Sequence, residues 1–409
     1  MIKKRTITIV LAILVICGSF TPLSVKAVIN NYVFRSFNYV DSPLFTPNNV
    51  VNESVDNLPS KYSLADYNYV LDVKKQNPYG TCWAMAICSS AESYAIKKYG
   101  LNDINLSELQ LAYYVTHQVE DPLCLINNDT TMILNGDEYL LDMGGNPEIA
   151  VNILASGKGF VEEDKFPYEL AESITTEEYI PDESLGFKST DYLMDSARYV
   201  LMSKENMNTI KQCMIDYGAI VISYGHYKKY YNSETFSYYC CNEEADNHCV
   251  TLVGWDDDYS KDNFLDEKPS EDGAWICLNS WGDKFGQQGY FYISYQDKTI
   301  VDFAMQFGVE KTDNNYNIYQ YDGSGYNGYF VDEINDNSIV NFANIYTSQY
   351  DELLSKVGFF SYNNNYAYKV SVYTGVKENN PESGKLVCQI NGDCNYAGYN
   401  TVSLDKEIK

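Results

Sequence analysis

Gln76, Cys82, His248 and Asn279 are the residues whose types and settings point to acyl transfer through a thiol. Cys82 stands in Gln76-Asn77-Pro78-Tyr79-Gly80-Thr81-Cys82-Trp83-Ala84-Met85-Ala86. Asn77-Pro78 and Gly80 predict a turn. The Ala-rich stretch beyond it predicts a helix from near Cys82 to Tyr99, closed by Lys97-Lys98 and Gly100. A thiol at a helix N-terminus faces the positive end of the helix dipole, which lowers its pKa and favours the nucleophilic thiolate. Gln76, across the turn, can swing its side-chain amide to the same spot and form an oxyanion hole with the Cys82 backbone N–H. Taken alone, Cys82 is as readily a buried structural cysteine, the usual fate of a free thiol. Cys88, on another face of the same helix, reads that way.

The chain has three histidines. His248 opens Asn247-His248-Cys249-Val250-Thr251-Leu252-Val253-Gly254-Trp255, whose apolar run predicts a buried strand. An imidazole beside a thiolate forms an ion pair and then protonates the leaving amine. Trp275-Ile276-Cys277-Leu278-Asn279-Ser280-Trp281-Gly282 predicts another buried strand ending at Asn279. That amide would hold the imidazole in its working orientation as the third member of a triad, with Trp281 covering the bond and excluding water. His117 and His226 read as surface or internally satisfied histidines, and Glu108 as a helix-start residue. Tyr230-Tyr231 and Tyr238-Tyr239 fit the primed side of a cleft and a core equally well.

Three patterns in this order, Gln-x5-Cys-Trp-Ala, Asn-His-x-Val-x-x-Val-Gly and Asn-Ser-Trp-Gly-x3-Gly-x2-Gly-Tyr, resemble the papain-like C1 cysteine peptidases. Leu106-Ser107-Glu108, Gly144-Gly145-Asn146-Pro147 and Phe166-Pro167-Tyr168 support the resemblance, which spans about residues 58–309. It implies peptide-bond hydrolysis through an acyl-enzyme, with Cys82 as nucleophile, His248 as general acid and base, Asn279 as orienting residue and Gln76 in the oxyanion hole. It implies an α+β fold of two lobes, a helical left half and a β-barrel-like right half, with the cleft between. Gly144 and Gly145 would lie along the substrate backbone, and Trp83 and Trp281 are grouped with them as substrate-binding residues.

The sequence departs from the family pattern in several places. Tyr79 stands where the family often has a disulfide-bonded cysteine, and Phe285 stands in place of a tryptophan near the site. The Cys82-to-His248 and Cys82-to-Asn279 intervals are 166 and 197 residues, against about 130–150 in the usual signature. Insertions account for the excess: the acidic loop Asp256 to Asp272, and others within 120–142 and 170–206. The residues before the catalytic domain are too few for the family's usual helical inhibitory prodomain, so latency would work otherwise.

The elements that must position these residues sit within a chain of 409 residues, a length that predicts two folded units. Residues 1–27 read as an export signal: basic Lys3, Lys4 and Arg5, an apolar Ile7 to Cys17, and a Val25-Lys26-Ala27 cleavage site. The apolar core is shorter than the ~20 residues of a membrane span, so the mature chain is expected to be exported, extracellular or at a cell surface, with no membrane span. Residues 28–57 read as a linker or short pro-segment, 58–311 as the peptidase domain and 312–409 as a second domain. The formal charge of −27 becomes −31 once the signal's four basic residues go; so acidic a chain repels nucleic acid and anionic lipid. Eleven cysteines do not make a disulfide scaffold, although Cys240, Cys241, Cys249, Cys388 and Cys394 are available for pairing in an oxidising compartment. No metal site or cofactor is expected; Asp256-Asp257-Asp258 and Asp266-Glu267 lack EF-hand spacing.

After Lys311, Asn, Asp, Gly and the abundant tyrosines dominate. Segments 357–362 and 366–373 alternate between turn signals, which predicts an antiparallel β-sandwich. This part resembles, more loosely, the lectin-like β-domains behind bacterial papain-like peptidases, which implies a cell-surface glycan as ligand; a bracing module is the other reading. The chain ends at Lys409 in what reads as the approach to a strand, the pattern of an incomplete domain. The expected function is a secreted cysteine endopeptidase acting on proteins or peptides. The alternatives are an idle surface adhesin on a peptidase scaffold and a thiol transpeptidase or amidase.

Overall fold

The computed structural model describes residues 8–13, 57–117, 119, 123, 141–320 and 341–409, except 71, 188, 266, 302, 314, 362–363 and 378–379. The chain divides into two compact units, 51–326 and 327–409 with 1–50. Of the stretch read as an export signal, only strand β1 (Thr8–Ile13) is described; it pairs antiparallel with β11 (Asn341–Thr347). The stretch read as a linker and most of the insertion at 120–142 lie outside the described residues.

In the larger unit, helix α1 (Cys82–Tyr99) is buried nearly all round. Its Ala and Ser content explains this, because small side chains let neighbouring backbone approach. Ser90 Oγ donates to Ala219 O at 2.6 Å and accepts from the Phe307 N–H at 3.0 Å, while Ser93 Oγ accepts from the Ala219 N–H at 3.0 Å. Gly100 ends the helix with a left-handed φ of 71°. Helices α2 (Glu108–Thr116) and α3 (Pro147–Ala155) pack against α1 in the helical half. Ser107 caps α2 by accepting from the Gln110 N–H, and Asn146 caps α3 by accepting from the Ile149 N–H.

The other half is a sheet. In chain order its strands are β2 (Lys61–Ser63), β3 (Tyr192–Leu201), β4 (Ile220–Tyr224), β5 (Tyr231–Asn232), β6 (Ser237–Tyr238), β7 (His248–Asp256), β8 (Ala274–Leu278), β9 (Tyr290–Ser294) and β10 (Phe303–Lys311). Within this unit they run β3-β10-β4-β7-β8-β9-β6-β5, with β2 also on β7. The expected barrel-like half is therefore an open sheet. One end of it is made of two-residue strands, β6 joining β9 in parallel and β5 pairing with β6, too short to curl round and close. The loop Asp256 to Asp272 does join β7 to β8, and among its described residues four acids are ion-paired: Asp256 with Lys61, Asp257 with Lys211, Asp262 with Lys268 and Glu271 with Lys204.

Residues just beyond β10 stay with this unit. Tyr316 OH hydrogen-bonds Thr190 Oγ1 at 2.9 Å and donates to Phe187 O at 3.1 Å.

The smaller unit holds β1, β11, β12 (Leu354–Ser361), β13 (Tyr366–Thr374), β14 (Lys385–Cys394) and β15 (Ala397–Ile408). Within it, β11-β1-β13-β14 form one sheet and β12 pairs antiparallel with β15. Val357, Phe359, Val370, Val372, Ile390 and Ile408 make a common core between the two layers, so the alternation seen in the sequence does produce an antiparallel β-sandwich.

Candidate active site

The turn before α1 is fastened from several sides. The Tyr79 N–H donates to Gln76 O at 3.0 Å, and the Gly80 N–H donates to Leu141 O at 2.8 Å. Tyr168 OH donates to Gln76 O at 2.9 Å and shares a hydrogen bond with Thr81 Oγ1. Phe166-Pro167-Tyr168, a supporting motif in the sequence, thus pins the turn that leads into Cys82. Tyr79, at the position of the missing disulfide cysteine, packs edge-on against the Tyr168 ring at 6.4 Å. An aromatic contact stands where a covalent link was absent.

Lys74 anchors the segment from below. Its Nζ pairs with Glu108 and, at 2.9 Å, with Glu92, which also accepts from the Leu106 N–H at 2.8 Å. Glu108 does begin a helix, and in addition it neutralises this buried lysine. The same segment reaches the sheet half through its backbone: the Gly282 N–H donates to Lys74 O at 3.0 Å and the Gln76 N–H to Ser280 O at 2.8 Å.

Cys82 opens α1 and is half-buried. Its Sγ accepts from the Cys249 N–H at 3.5 Å. A hydrogen bond from the Cys249 thiol, followed by the hydrogen bond and charge of His248, outweighs burial and holds the Cys82 thiol well below its ordinary pKa. Cys88, by contrast, is fully buried and burial pushes its thiol up, as suits a structural residue.

His248 is the first residue of β7, paired with Tyr224 of β4. Its Nε2 lies 2.9 Å from Asn279 Oδ1, which also accepts from the Ser280 N–H at 2.7 Å. Asn279 has only acceptor capacity on that oxygen, so Nε2 carries the proton and Nδ1 is the nitrogen left for Cys82. Trp281 stacks on the imidazole at 4.5 Å and 22°. Phe285, standing where a tryptophan was expected, packs edge-on to Trp281 at 4.9 Å.

Gln76 is buried, with Oε1 accepting from Ser280 Oγ at 2.7 Å and Nε2 donating to Tyr79 O at 2.8 Å. One Nε2 hydrogen remains for an oxyanion. Gly144 has a left-handed φ of 72° and open space where a Cβ would be, while a Cβ on Gly145 would come within 2.4 Å of the Trp83 indole. Trp83 itself is 2% exposed. Its indole lies directly against Gly145.

Four contacts at the site were not singled out in the sequence. Ser280 and Tyr168 hold Gln76, the Cys249 N–H meets Cys82 Sγ, and His226 packs edge-on to Trp281 at 4.8 Å with Nδ1 2.8 Å from Tyr224 OH. Burial first, then the charge of His248, pulls the His226 pKa down to about 4. Of the tyrosine pairs, Tyr238 is core and Tyr231 stacks on Phe285 at 5.2 Å. The cysteines available for pairing are free thiols, among the described residues. No described helix is long and apolar enough to cross a membrane.

Residues 58–311 match the papain family of cysteine proteases, and residues 318–409 match the lectin-like domain. The chain is similar to the clostridial cysteine protease Cwp84 after propeptide cleavage, at 26% identity and a TM-score of 0.64 over 85% of this chain and 80% of that one. A structure of the cysteine protease and lectin-like domains of Cwp84, described as a surface layer associated protein of Clostridium difficile, is similar at 26% identity and a TM-score of 0.62, covering 85% and 72% of the two chains. A viral cathepsin of Choristoneura fumiferana defective polyhedrosis virus is 29% identical over 68% of this chain and 71% of its own length.

Proposed function

The chain belongs to the papain family of cysteine proteases, and on that footing we propose that it is an exported endopeptidase worked by Cys82, His248, Asn279 and Gln76. The observation that carries the proposal is the imidazole of His248, held at Nε2 by Asn279 at 2.9 Å, beside a Cys82 thiol whose pKa it helps to lower. In that setting the Cys82 thiolate attacks the scissile carbonyl. The oxyanion takes the Cys82 N–H and the remaining Gln76 amide hydrogen. His248 gives its Nδ1 proton to the leaving amine, which leaves a thioester on Cys82. Water, deprotonated by the same nitrogen, then releases the acid. Asn279 keeps the ring in register through both steps, and Trp281 shields their bond from water. Gly144 and Gly145 offer backbone to the substrate chain.

Export rests on the basic and apolar pattern of residues 1–27. The lectin-like match supports carbohydrate binding by the smaller unit, and the likeness to a surface layer associated protease supports a place at a cell surface.

Labelling with an epoxide-type thiol inhibitor followed by peptide mapping tests the catalytic assignment. Modification is expected at Cys82, absent in Cys82→Ala and lost in His248→Ala. Labelling of another cysteine, or undiminished labelling without His248, would overturn it.

A further inference from the structure

The residue after His248 is a cysteine, and the reaction just described gives its thiol no bond to make or break. Cys249 is 5% exposed and faces Ser223 across the antiparallel pairing of β4 and β7. Its N–H lies 3.5 Å from Cys82 Sγ, and its own Sγ lies 3.0 Å from Ser223 Oγ. Both thiols are free. With the Cys249 backbone nitrogen 3.5 Å from Cys82 Sγ, the two residues are close enough that side-chain rotation rather than backbone movement is what a bond between them needs.

We propose that Cys249 is a resolving thiol and that Cys82–Cys249 is an oxidative modification site, a disulfide that reversibly idles the peptidase. The proposal rests on Cys82 being the active-site thiolate. A peroxide is the oxidant. The Cys82 thiolate attacks one peroxide oxygen, an S–O bond forms, the O–O bond breaks, and the departing hydroxide or alkoxide takes up a proton. Sulfur loses two electrons and the peroxide gains them. Cys249 sulfur then attacks the sulfenic sulfur; the S–S bond forms, the S–O bond breaks, and oxygen leaves as water with the Cys249 proton. An external dithiol restores both thiols and is itself oxidised to a disulfide.

The two cysteines are placed for different parts. Cys82 is half-buried and meets the oxidant, whereas Cys249 is buried. The hydrogen bond to Cys82 and then burial hold the Cys249 thiol well above its ordinary pKa, so it does not compete for peroxide. Capture by Cys249 is intramolecular and precedes a second peroxide molecule, which would otherwise carry Cys82 to the irreversible sulfinic acid.

The test is near-stoichiometric hydrogen peroxide on the whole protein, read by non-reducing peptide mapping and by peptidase activity before and after dithiothreitol. The wild type is expected to yield a Cys82–Cys249 cross-linked peptide and to recover most of its own starting activity. Cys249→Ser and Cys249→Ala, each normalised to its untreated activity, are expected to gain sulfinic acid at Cys82 and to recover several-fold less. Sulfinic acid at Cys82 in the wild type without the cross-link, a disulfide from Cys82 to another cysteine, or equal recovery in the variants would overturn the proposal. The mapping needs no activity, so it decides the cross-link even if epoxide labelling has removed Cys82 from the catalytic role.

Discussion

Ser280 holds Gln76 twice: its carbonyl accepts the Gln76 N–H at 2.8 Å, and its hydroxyl donates to Gln76 Oε1 at 2.7 Å. The second bond fixes which end of the amide faces the cleft, since an oxyanion needs Nε2 rather than Oε1. Ser280 follows Asn279 directly, so one short segment orients both the His248 imidazole and the Gln76 amide. Ser280→Ala keeps the backbone bond and frees the amide to rotate. Its kcat is expected to fall about tenfold with KM little changed, against about a hundredfold for Gln76→Ala, which removes the donor. Steady-state kinetics on a peptide substrate checks the ranking; equal losses would show that Ser280 does not act through the amide.

Asn279→Ala removes the acceptor at His248 Nε2, and the ring is then free to turn between Trp281 and Cys82. A fall in kcat/KM of about 10–100-fold is expected, with slower epoxide labelling of Cys82. Labelling at the wild-type rate would show that the imidazole is held by its stacking alone.

Gly145→Ala drives a methyl into the Trp83 ring, where a Cβ would sit 2.4 Å from the nearest indole atom. Overpacking of this kind costs about 1–3 kcal/mol, readable by denaturant unfolding. KM is expected to rise as well, because the glycine segment must shift. Gly144→Ala meets no atom and pays only left-handed backbone strain of about 1–2 kcal/mol.

Lys74→Met leaves Glu92 and Glu108 facing each other without their cation. A loss of about 3–5 kcal/mol is expected from breaking a buried pair on one side. The triple variant Lys74→Met, Glu92→Gln, Glu108→Gln should regain most of it. Chemical denaturation of the two variants at pH 7 settles the comparison; a triple variant no more stable than the single one would argue against a charge origin.

Glu163 supplies the pH dependence. Burial, then the charge of Glu108, raises its pKa to about 8 against the opposing Tyr168 N–H. The folded state therefore holds this proton to higher pH than the unfolded chain, whose glutamates titrate near ~4.3. Its protonated form carries no penalty below that value, and stability falls as pH rises from there through about 8. Glu163→Gln keeps an oxygen for the Tyr168 N–H, which the native Glu163 Oε1 accepts at 2.6 Å. It is expected to match the wild type near pH 4 and to exceed it by about 1–2 kcal/mol at pH 8, discounted for partial solvent exposure. Thermal unfolding across pH 4–8 reads the difference, and parallel curves would refute it.

The local elements were legible because their causes are local. The reading of Cys82–Tyr99 as a helix needed only its Ala content, terminal lysines and Gly100, and the strands at His248 and Ala274 needed only their apolar runs. The family motifs added the order in which Gln76, Cys82, His248 and Asn279 had to come. Residues far apart in the chain and unremarkable in type were not legible. Nothing in Tyr168 or Ser280 announces a hold on Gln76, since hydrogen bonds between positions 92 and 204 residues apart exist only once the halves meet. The open sheet was missed for a related reason: closure depends on how two-residue strands pair at one end, and such strands carry no periodicity. Cys249 shows the division within one residue. The apolar run after His248 marked it as part of a strand and its type as a thiol, but only the packing of β7 against the start of α1 brought it to Cys82, because nearness between residues 167 positions apart is set by tertiary geometry and not by spacing along the chain.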